Sequence, residues 1–401
     1  MAIADRRVLI DDKHCHQPAT IFDQQFKMAT VRTGYNLAEY SRLSWRHFDV
    51  WLVLIVLALL TIGLLMISSA TQNSIDPDLA NAARRQGLYA LIGVIVLILT
   101  ATIDYRIWYN ARHILYVIAL LFLVITLIFG SGQIGGVNRW LDLSVFPVQP
   151  SELAKVLLIL ALAGLLANRT GSIRTLRTTV LSLIYIAVPA VLVFLQPNLS
   201  TALVYLFIWL AMVIAAGVRG RNLAVIGGVG LLTLPAVWLA MAQYQRERIL
   251  SIFNPELDYN RTQALISIGS GGWLGQGYGS GSQNQLHFLK VRHTDFIFSV
   301  TAEELGFVGA VLIVILLAAL IYRLVRIADR SRDAYGEFVV IGIAAMIFFQ
   351  AAINIAMNLN IGLVAGLPLP LVSYGGSSLI TMLLAIGLAE SVIMRHRKIE
   401  F

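Results

Sequence analysis

The carboxylate best placed to do chemistry is Asp295, in the run Arg-His-Thr-Asp-Phe-Ile-Phe at 292–298. It stands where a long polar stretch meets an apolar segment, in which a charge that has no partner or function would be costly. A carboxylate at a membrane interface, preceded by basic residues, indicates a functional site. We therefore expect Asp295 to belong to a functional site that the rest of the chain positions.

Glu152 and Lys155 form a second charged motif at the start of a short apolar segment. Because they are three residues apart on a helix, their side chains share a face and can pair. A lone charge at the centre of a membrane helix costs about 2.5–3.5 kcal/mol, and less near the interface. Two interpretations stay open. The pair is a structural ion pair at the mouth of the span, or Lys155 and the upstream Arg139 bind an anionic group such as a phosphate.

A polar stripe of Gln350, Asn354 and Asn358 recurs every four residues along an otherwise apolar segment. Such a stripe faces the interior of a helix bundle or a watery cavity. Hydrogen bonding between helices and contact with a substrate explain it equally well, so both interpretations stay open at this point.

Glu303 and Glu304 follow Asp295 in the same apolar segment, about 80° and 180° round a continuous helix from it. Neither would lie directly beneath the aspartate, and we expect one of them to serve packing or a buried ion pair. The glycine-rich run at 275–281 follows no strand, so a dinucleotide site is not indicated. Glycine there would let an outer loop fold closely on itself or on a ligand.

The composition indicates an integral membrane protein, with 58% hydrophobic residues, 13% charged residues and a mean hydropathy of +0.77. A single cysteine, Cys15, excludes an intramolecular disulfide framework. It lies between His14 and His16, but three adjacent residues do not easily close a tetrahedral metal site, and a solvated tail is expected.

Ten apolar runs are long enough to cross about 30 Å of hydrocarbon. We predict an all-α integral membrane fold with ten transmembrane helices, in which residues 49–394 form the membrane domain and 1–48 and 395–401 form tails. The predicted spans lie at about 49–69, 86–103, 113–129, 152–167, 179–195, 199–217, 222–242, 296–322, 337–360 and 376–394.

The distribution of basic residues predicts that both termini are cytoplasmic. With the N-terminus inside, 21 of the 30 Lys and Arg residues fall in inner segments and 8 in outer segments, with Lys155 inside the fourth span. Five of those 8 lie in one long extracytoplasmic loop, about 243–295, which the positive-inside rule weights least. Orientation and attraction to anionic membrane lipid explain the net charge of +8 better than nucleic acid does.

Six motifs occur in an order that resembles the SEDS family of bacterial cell-wall proteins, whose members include RodA, FtsW and SpoVE. The resemblance covers about 49–394, and the I-G-S-G-G run with the following Q-N-Q-L looks closer to the RodA branch. The motifs are N-R-W-L-D-L at 138–143, Q-P-S-E-L-A-K at 149–155, I-G-S-G-G at 268–272, R-H-T-D-F-I-F at 292–298, A-E-E-L-G at 302–306 and P-L-P-L-V-S-Y-G-G-S-S at 368–378.

The resemblance implies a peptidoglycan glycosyltransferase in the bacterial cytoplasmic membrane, which polymerises lipid II on the outer face during cell-wall elongation. It implies a class B penicillin-binding protein (a transpeptidase) as partner, along with other proteins of the elongation or division complex. The family's essential aspartate corresponds to Asp295. We expect it to take the proton of the acceptor hydroxyl, with coordination of a divalent cation, Mg²⁺ or Mn²⁺, as its alternative role.

The departing diphosphate carries growing negative charge, which fixed cations stabilise. Arg292, Arg139 and Lys155 are the predicted cations, with help from a metal ion as an open alternative. The full set of predicted substrate-binding residues is Arg139, Gln149, Glu152, Lys155, Gln263, Arg292, Ser373 and Tyr374.

Three outer segments depart from the family pattern. The usual Q-P-D-L-G-T has Asn198 and Ser200, the usual L-P-E has Lys290 and Val291, and the usual G-L-L-P-V-T-G at 360–366 lacks its proline. A divergent paralogue with weakened catalysis is therefore one alternative, and an FtsW-like division polymerase is another.

Two further alternatives belong to other functional classes. A lipid II flippase would need polar groups along both halves of its path, whereas the polar motifs here concentrate on the predicted outer side. A non-catalytic scaffold for a penicillin-binding protein would keep its function after Asp295→Ala.

Overall fold

The computed structural model describes residues 45–72, 77–130, 140–142, 147–251, 258–286, 288–362 and 365–395. Most of the predicted N-terminal tail, almost all of the C-terminal tail and Arg139 lie outside these residues. The boundaries predicted for the two tails therefore stay predictions.

Nine helices within the described residues are long and apolar enough to cross a membrane, and the remaining predicted span, the sixth at about 199–217, corresponds to a helix of 17 residues. The multi-pass all-helical class is thus confirmed, while the count of ten spans stays a prediction. In chain order the helices are α1 Val50–Thr71, α2 Ala82–Thr102, α3 Arg112–Phe129, α4 Pro150–Ala167, α5 Leu176–Leu195, α6 Leu199–Ala215 (the short one), α7 Gly220–Ala240, α8 Ile297–Asp329, α9 Ala334–Asn358 and α10 Gly376–Met394.

Shorter elements connect these helices. The chain between α3 and α4 carries two antiparallel strands, β1 Leu141–Asp142 and β2 Pro147–Val148. The short helices are Trp45–His47, Pro77–Ala80, Arg106–Asn110, Gln243–Leu250, Tyr259–Ser270 and Ser282–Gln285. The last three show that much of the segment predicted as one long polar loop is helical.

α8 is longer than its predicted span, which ended at 322. Arg323 and Arg326 end the apolar run but not the helix, because arginine is a good helix former and its charged end can reach the membrane surface. Arg323 is held there by the carboxylate of Asp49, which caps the start of α1.

The centre of the bundle is built from α4, α9 and α10, whose side chains are mostly buried on all sides. A helix that is apolar all round belongs in the core of a membrane bundle, where its neighbours replace lipid. α7 is instead exposed along most of its length, and Asn222 is its one buried residue. An apolar groove of about 630 Å³ lies between α5, α6 and α7.

Glycines bring the outer loop onto α8. A side chain at Gly271 would place its Cβ 1.9 Å from the carbonyl oxygen of Ala302, and one at Gly275 would lie 2.1 Å from that of Glu304. Gly306 has a φ of 69° and interrupts the regular geometry of α8 at this contact. The glycine-rich run therefore folds closely onto the bundle.

Glu303 and Glu304 hold the same loop by hydrogen bonds. Glu303 accepts from the backbone N–H groups of Gln283 at 2.7 Å and Asn284 at 3.3 Å. Glu304 accepts from the Asn284 side-chain amide at 2.8 Å and from the Ser69 hydroxyl at 2.6 Å. We expected one of them to serve packing or a buried ion pair; both are buried and bind the loop by hydrogen bonds, and Glu304 also joins it to the end of α1.

Candidate functional site

Asp295 lies in the turn before α8 and is fixed through its backbone. Its carbonyl oxygen accepts hydrogen bonds from the side-chain amides of Asn354 and Asn358, both at 3.0 Å. Asn358 also accepts from the Ser299 hydroxyl at 2.6 Å, in the first turn of α8. These two members of the polar stripe make hydrogen bonds between segments, so this interpretation of the stripe is supported by direct contacts.

The segment before α10 is joined to the same turn. The Ser373 hydroxyl donates to the carbonyl oxygen of Thr294 at 2.6 Å, and the Tyr374 N–H donates to that of His293 at 2.9 Å. A Cβ on Gly366 would lie 3.4 Å from a carboxylate oxygen of Asp295, so backbone borders the acid directly. Two motifs about 80 residues apart in sequence thus meet around one carboxylate.

Ser373 and Tyr374 therefore take part in building the site. The Ser373 hydroxyl also accepts from the N–H of Leu369 at 2.8 Å, which fixes the turn that precedes it. The Tyr374 ring lies 5.6 Å from the His293 ring, centroid to centroid. Their predicted contact with a substrate stays a prediction.

Burial shapes the ionisation of the turn. It raises the pKa of the half-buried Asp295 to about 6, and the positive charge of Arg248 offsets part of that rise. Burial and the neighbouring Arg292 lower the pKa of His293 to about 4. At neutral pH the site therefore combines an ionised carboxylate, ready to take a proton, with a neutral imidazole.

Arg248 is a cation whose charge acts on Asp295, and the sequence reasoning did not include it among the candidate site residues. It lies on the helix Gln243–Leu250, within the segment predicted as loop. The run Gln-Tyr-Gln-Arg-Glu-Arg at 243–248 was its available signal, as a cluster of charge just beyond a membrane span. Nothing in the sequence indicated that the charge of Arg248 acts on Asp295.

Arg292 is buried and connects the turn to α1. Its Nε donates to the carbonyl oxygen of Ala70 in the last turn of that helix. Burial lowers the pKa of its guanidinium. Arg292 was predicted to bind a phosphate, and one of its donors is thus used to hold the site together.

Glu152 and Lys155 form a salt bridge of 2.7 Å inside the bundle. Lys155 is 0% exposed and Glu152 is 2% exposed, so neither presents its charge to an open surface. The Tyr205 hydroxyl donates to the carbonyl oxygen of Ser151, one helical turn before Lys155 in the chain, at 3.0 Å. These observations favour the structural ion pair, and a role in binding substrate stays a prediction.

The remaining predicted residues are distributed over other elements. The backbone N–H of Gln149 donates to the Ser377 hydroxyl at 3.0 Å, which ties the β1–β2 hairpin to α10. Gln263 is half-buried on the helix Tyr259–Ser270. Among the described residues, no three His, Cys, Asp or Glu side chains are grouped so that they could hold a metal ion. Arg139 lies outside the described part of the chain.

Two of the departures from the family pattern are compatible with the local structure. Asn198 caps α6, because its side-chain oxygen accepts from the Thr201 N–H at 3.3 Å, a role that asparagine and aspartate fill equally well. Lys290 places its ammonium group 6.0 Å from the centre of the Tyr259 ring. It adds a cation on the outer loop close to the turn that bears Asp295.

Comparison with known proteins matches this chain to one family over nearly all of its length. The sequence model of the FtsW, RodA and SpoVE family, described as cell cycle protein, matches residues 50–398. The peptidoglycan glycosyltransferase MrdB of Escherichia coli strain K12 is 37% identical over 358 residues, which cover 88% of this chain and 95% of that protein.

Solved structures agree with the sequence comparison. A chain from a peptidoglycan synthase complex that coordinates polymerization and crosslinking is 32% identical, with a TM-score of 0.76, over 88% of this chain and 100% of that one. The crystal structure of the rod shape determining protein RodA of Thermus thermophilus is 32% identical, with a TM-score of 0.67, over 88% of this chain and 99% of that one. This chain belongs to the FtsW, RodA and SpoVE family.

Proposed function

We propose that this protein is a peptidoglycan glycosyltransferase of the bacterial cytoplasmic membrane, which polymerises lipid II on the outer face during cell-wall elongation. The observation that carries the proposal is the turn at Asp295, where two amides and a second loop fix a carboxylate at the end of a membrane helix. The similarity to MrdB and to a rod shape determining protein supports the reaction and the elongation role.

In the proposed reaction, the 4-hydroxyl of one lipid II attacks the anomeric carbon of the growing chain. The hydroxyl proton passes to the Asp295 carboxylate, the new glycosidic C–O bond forms, and the bond to the lipid diphosphate breaks. Inversion at the anomeric carbon requires no covalent intermediate on the protein. The pKa of about 6 keeps Asp295 ionised at neutral pH and still basic enough to help a weak nucleophile.

The departing diphosphate needs fixed positive charge in a site with little water. Arg292 belongs to the turn itself, and the charge of Arg248 acts on Asp295, so these two arginines are the candidates to supply it. Lys155 is paired with Glu152 inside the bundle, and we give this role to the arginines instead.

We further propose a class B penicillin-binding protein as the partner. A similar chain occurs in a complex that couples polymerization to crosslinking, and coupling of this kind requires a transpeptidase beside the polymerase. Glycan strands made at Asp295 would be released on the side where such an enzyme works.

The test is polymerisation of lipid II by the purified protein with its penicillin-binding partner, comparing wild type with Asp295→Asn. The substitution keeps the size of the side chain and removes the base, so glycan strands from the wild type and none from the variant are expected. Equal polymer from both would remove Asp295 from the mechanism. Absence of polymer from the wild type would favour the flippase or scaffold alternatives, which a lipid II translocation assay separates.

A further inference from the structure

Gln86 is a buried amide on α2 that joins two points of the segment before α10. Its side chain is buried, with 2% of the residue exposed. Its Nε2 donates to the carbonyl oxygen of Ser373 at 3.1 Å, and its Oε1 accepts from the N–H of Gly375 at 3.1 Å. One side chain therefore satisfies a backbone acceptor and a backbone donor. Because buried backbone groups that lose such partners are costly, this amide fixes the path of the segment.

The segment that Gln86 holds, residues 369–376, contains a strained residue. Leu371 is buried and has a φ of 65°, in the left-handed region where a side chain is costly. The backbone of α1 packs directly against it, since a Cβ on Gly63 would lie 2.7 Å from the carbonyl oxygen of Val372. Such a conformation persists only where its surroundings hold it, and strain of this kind is concentrated at functional sites.

The segment 369–376 is bonded directly to the turn that bears Asp295. Ser373, whose carbonyl oxygen accepts from Gln86, donates through its hydroxyl to the carbonyl oxygen of Thr294 at 2.6 Å. Thr294 precedes Asp295 in the chain. A single residue, Ser373, therefore connects the amide of α2 with the backbone next to the proposed base.

We propose that Gln86 is a positioning residue for the transfer reaction, which keeps the Asp295 carboxylate aligned through Ser373 and Thr294. The inference rests on the proposed function. Gln86 acts through the backbone and needs no contact with the substrate. Without its amide, Leu371 can relax towards a less costly φ, and the bond from the Ser373 hydroxyl to the Asp295 turn loses its geometry.

The test compares the kinetics of lipid II polymerisation by the wild type and by Gln86→Met, which keeps the length of the side chain and removes both hydrogen bonds. We expect kcat to fall about ten- to hundredfold, because a small misplacement of a catalytic group costs this much. The KM for lipid II should stay within about twofold of the wild type, since substrate contacts are kept. A wild-type kcat in this variant would overturn the proposal.

Ser182→Ala is the matched control for the loss of a buried hydrogen bond. The Ser182 hydroxyl is buried, and it joins α5 to α6 by accepting from the Trp209 Nε1 at 3.0 Å. This variant should lower the melting temperature and leave kcat unchanged. An equal fall of kcat in both variants would reduce Gln86 to a general contribution to stability.

A double-mutant cycle in kcat separates positioning from stability. Ser373→Ala removes the hydroxyl that links the two segments, so adding Gln86→Met to it should lower kcat by no more than about twofold further. Residues that act independently would instead multiply their separate losses. A multiplied loss for Gln86→Met and Ser373→Ala would therefore contradict the proposal.

If the methionine variant does not fold, Gln86→Asn keeps the amide but is too short to span both backbone groups. A several-fold fall of kcat is then expected, and a wild-type kcat would contradict the proposal.

Amide hydrogen exchange of the segment 292–298 gives a readout that does not depend on activity. Exchange should be faster in Gln86→Met than in the wild type, and unchanged in Ser182→Ala. If the wild type makes no glycan strands, faster exchange in Gln86→Met would keep the link from Gln86 to the Asp295 turn and reject the transferase. Strands made at the wild-type rate by Gln86→Met would do the reverse.

Discussion

Asp295 is held by its backbone and is free to react through its side chain. The amides of Asn354 and Asn358 both bind its carbonyl oxygen, so the turn keeps its position whether or not the carboxylate is protonated. This division explains how a charged residue can end a membrane helix without serving as a structural ion pair. It also means that loss of activity on substituting either asparagine would not by itself demonstrate contact with substrate.

The pH dependence of the reaction should report the ionisation of Asp295. Activity is expected to rise about tenfold per pH unit below pH 6 and to level off above it, because the base is active when deprotonated and its pKa is about 6. Arg248→Gln removes the charge that lowers this pKa, so the rising limb should move to higher pH. The measurement is the rate of lipid II polymerisation from pH 5 to pH 8.

Arg246→Gln is the matched control for this prediction. Arg246 lies on the same helix as Arg248, and its guanidinium donates to the carbonyl oxygen of Leu239. Its substitution should leave the acid limb where it is. A limb that stays near pH 6 in the Arg248 variant would show that another group titrates.

Among single residues, sequence reasoning predicted the Glu152–Lys155 pairing, which the salt bridge confirms, and selected Asp295, whose role stays a prediction. It could not identify Arg248, because the effect of its charge on Asp295 depends on how distant segments of the chain are arranged. Nor could it show that Lys155 is fully buried, since a lysine at a helix start is equally compatible with an open or a closed position.

At the scale of elements, apolar runs predicted the membrane helices well because the length of a span is set by the bilayer. The outer loop was harder. Its helices Gln243–Leu250 and Tyr259–Ser270 are short and polar enough to resemble coil. Tyr259–Ser270 packs against α8, which stabilises it beyond its own propensity. The angles assigned to Glu303 and Glu304 also assumed that Asp295 lies within the helix, whereas α8 begins at Ile297.

The loop anchors should be sensitive to a change that keeps their size. Glu304→Gln replaces an acceptor of bonds from Ser69 and Asn284 with an amide that carries two donors. A loss of about 1.5–3 kcal/mol of stability is expected for a hydrogen bond to a buried charged group. The measurement is the melting temperature together with limited proteolysis of the segment 275–286.

Glu337→Gln, near the start of α9, is a suitable comparison because that carboxylate is half-buried and lies in the first turn of its helix. It should change the melting temperature little and leave proteolysis of the outer loop unaltered. Equal resistance of the loop in the Glu304 variant and the wild type would exclude the anchoring role.

At the scale of the whole molecule, the described residues form a buried centre of α4, α9 and α10. The other helices surround this centre and are less buried. The turn that bears Asp295 lies where this centre meets the outer loop, so hydrogen bonds from α9 fix the position of the proposed catalytic base. The closeness to a rod shape determining protein concerns this whole arrangement and not one motif, since the match covers 88% of the chain.

α7 is expected to respond to the thickness of the surrounding bilayer. The helix is attached near its first turn, where the Asn222 amide donates to the carbonyl oxygen of Arg174 at 3.1 Å, and the rest of its length faces lipid or the apolar groove. Its 21 residues span about 31 Å, close to the hydrocarbon thickness of a common bilayer. Because α7 makes few contacts with the rest of the protein, we expect its tilt to change with bilayer thickness.

Polymerisation rates measured in nanodiscs of different lipid acyl length should consequently vary. The maximum is expected where the hydrocarbon thickness matches the length of α7. A rate independent of acyl length would mean that α7 takes no part in turnover. On the expected outcome, membrane thickness becomes a physiological variable through which a cell's lipid synthesis could tune its cell-wall growth.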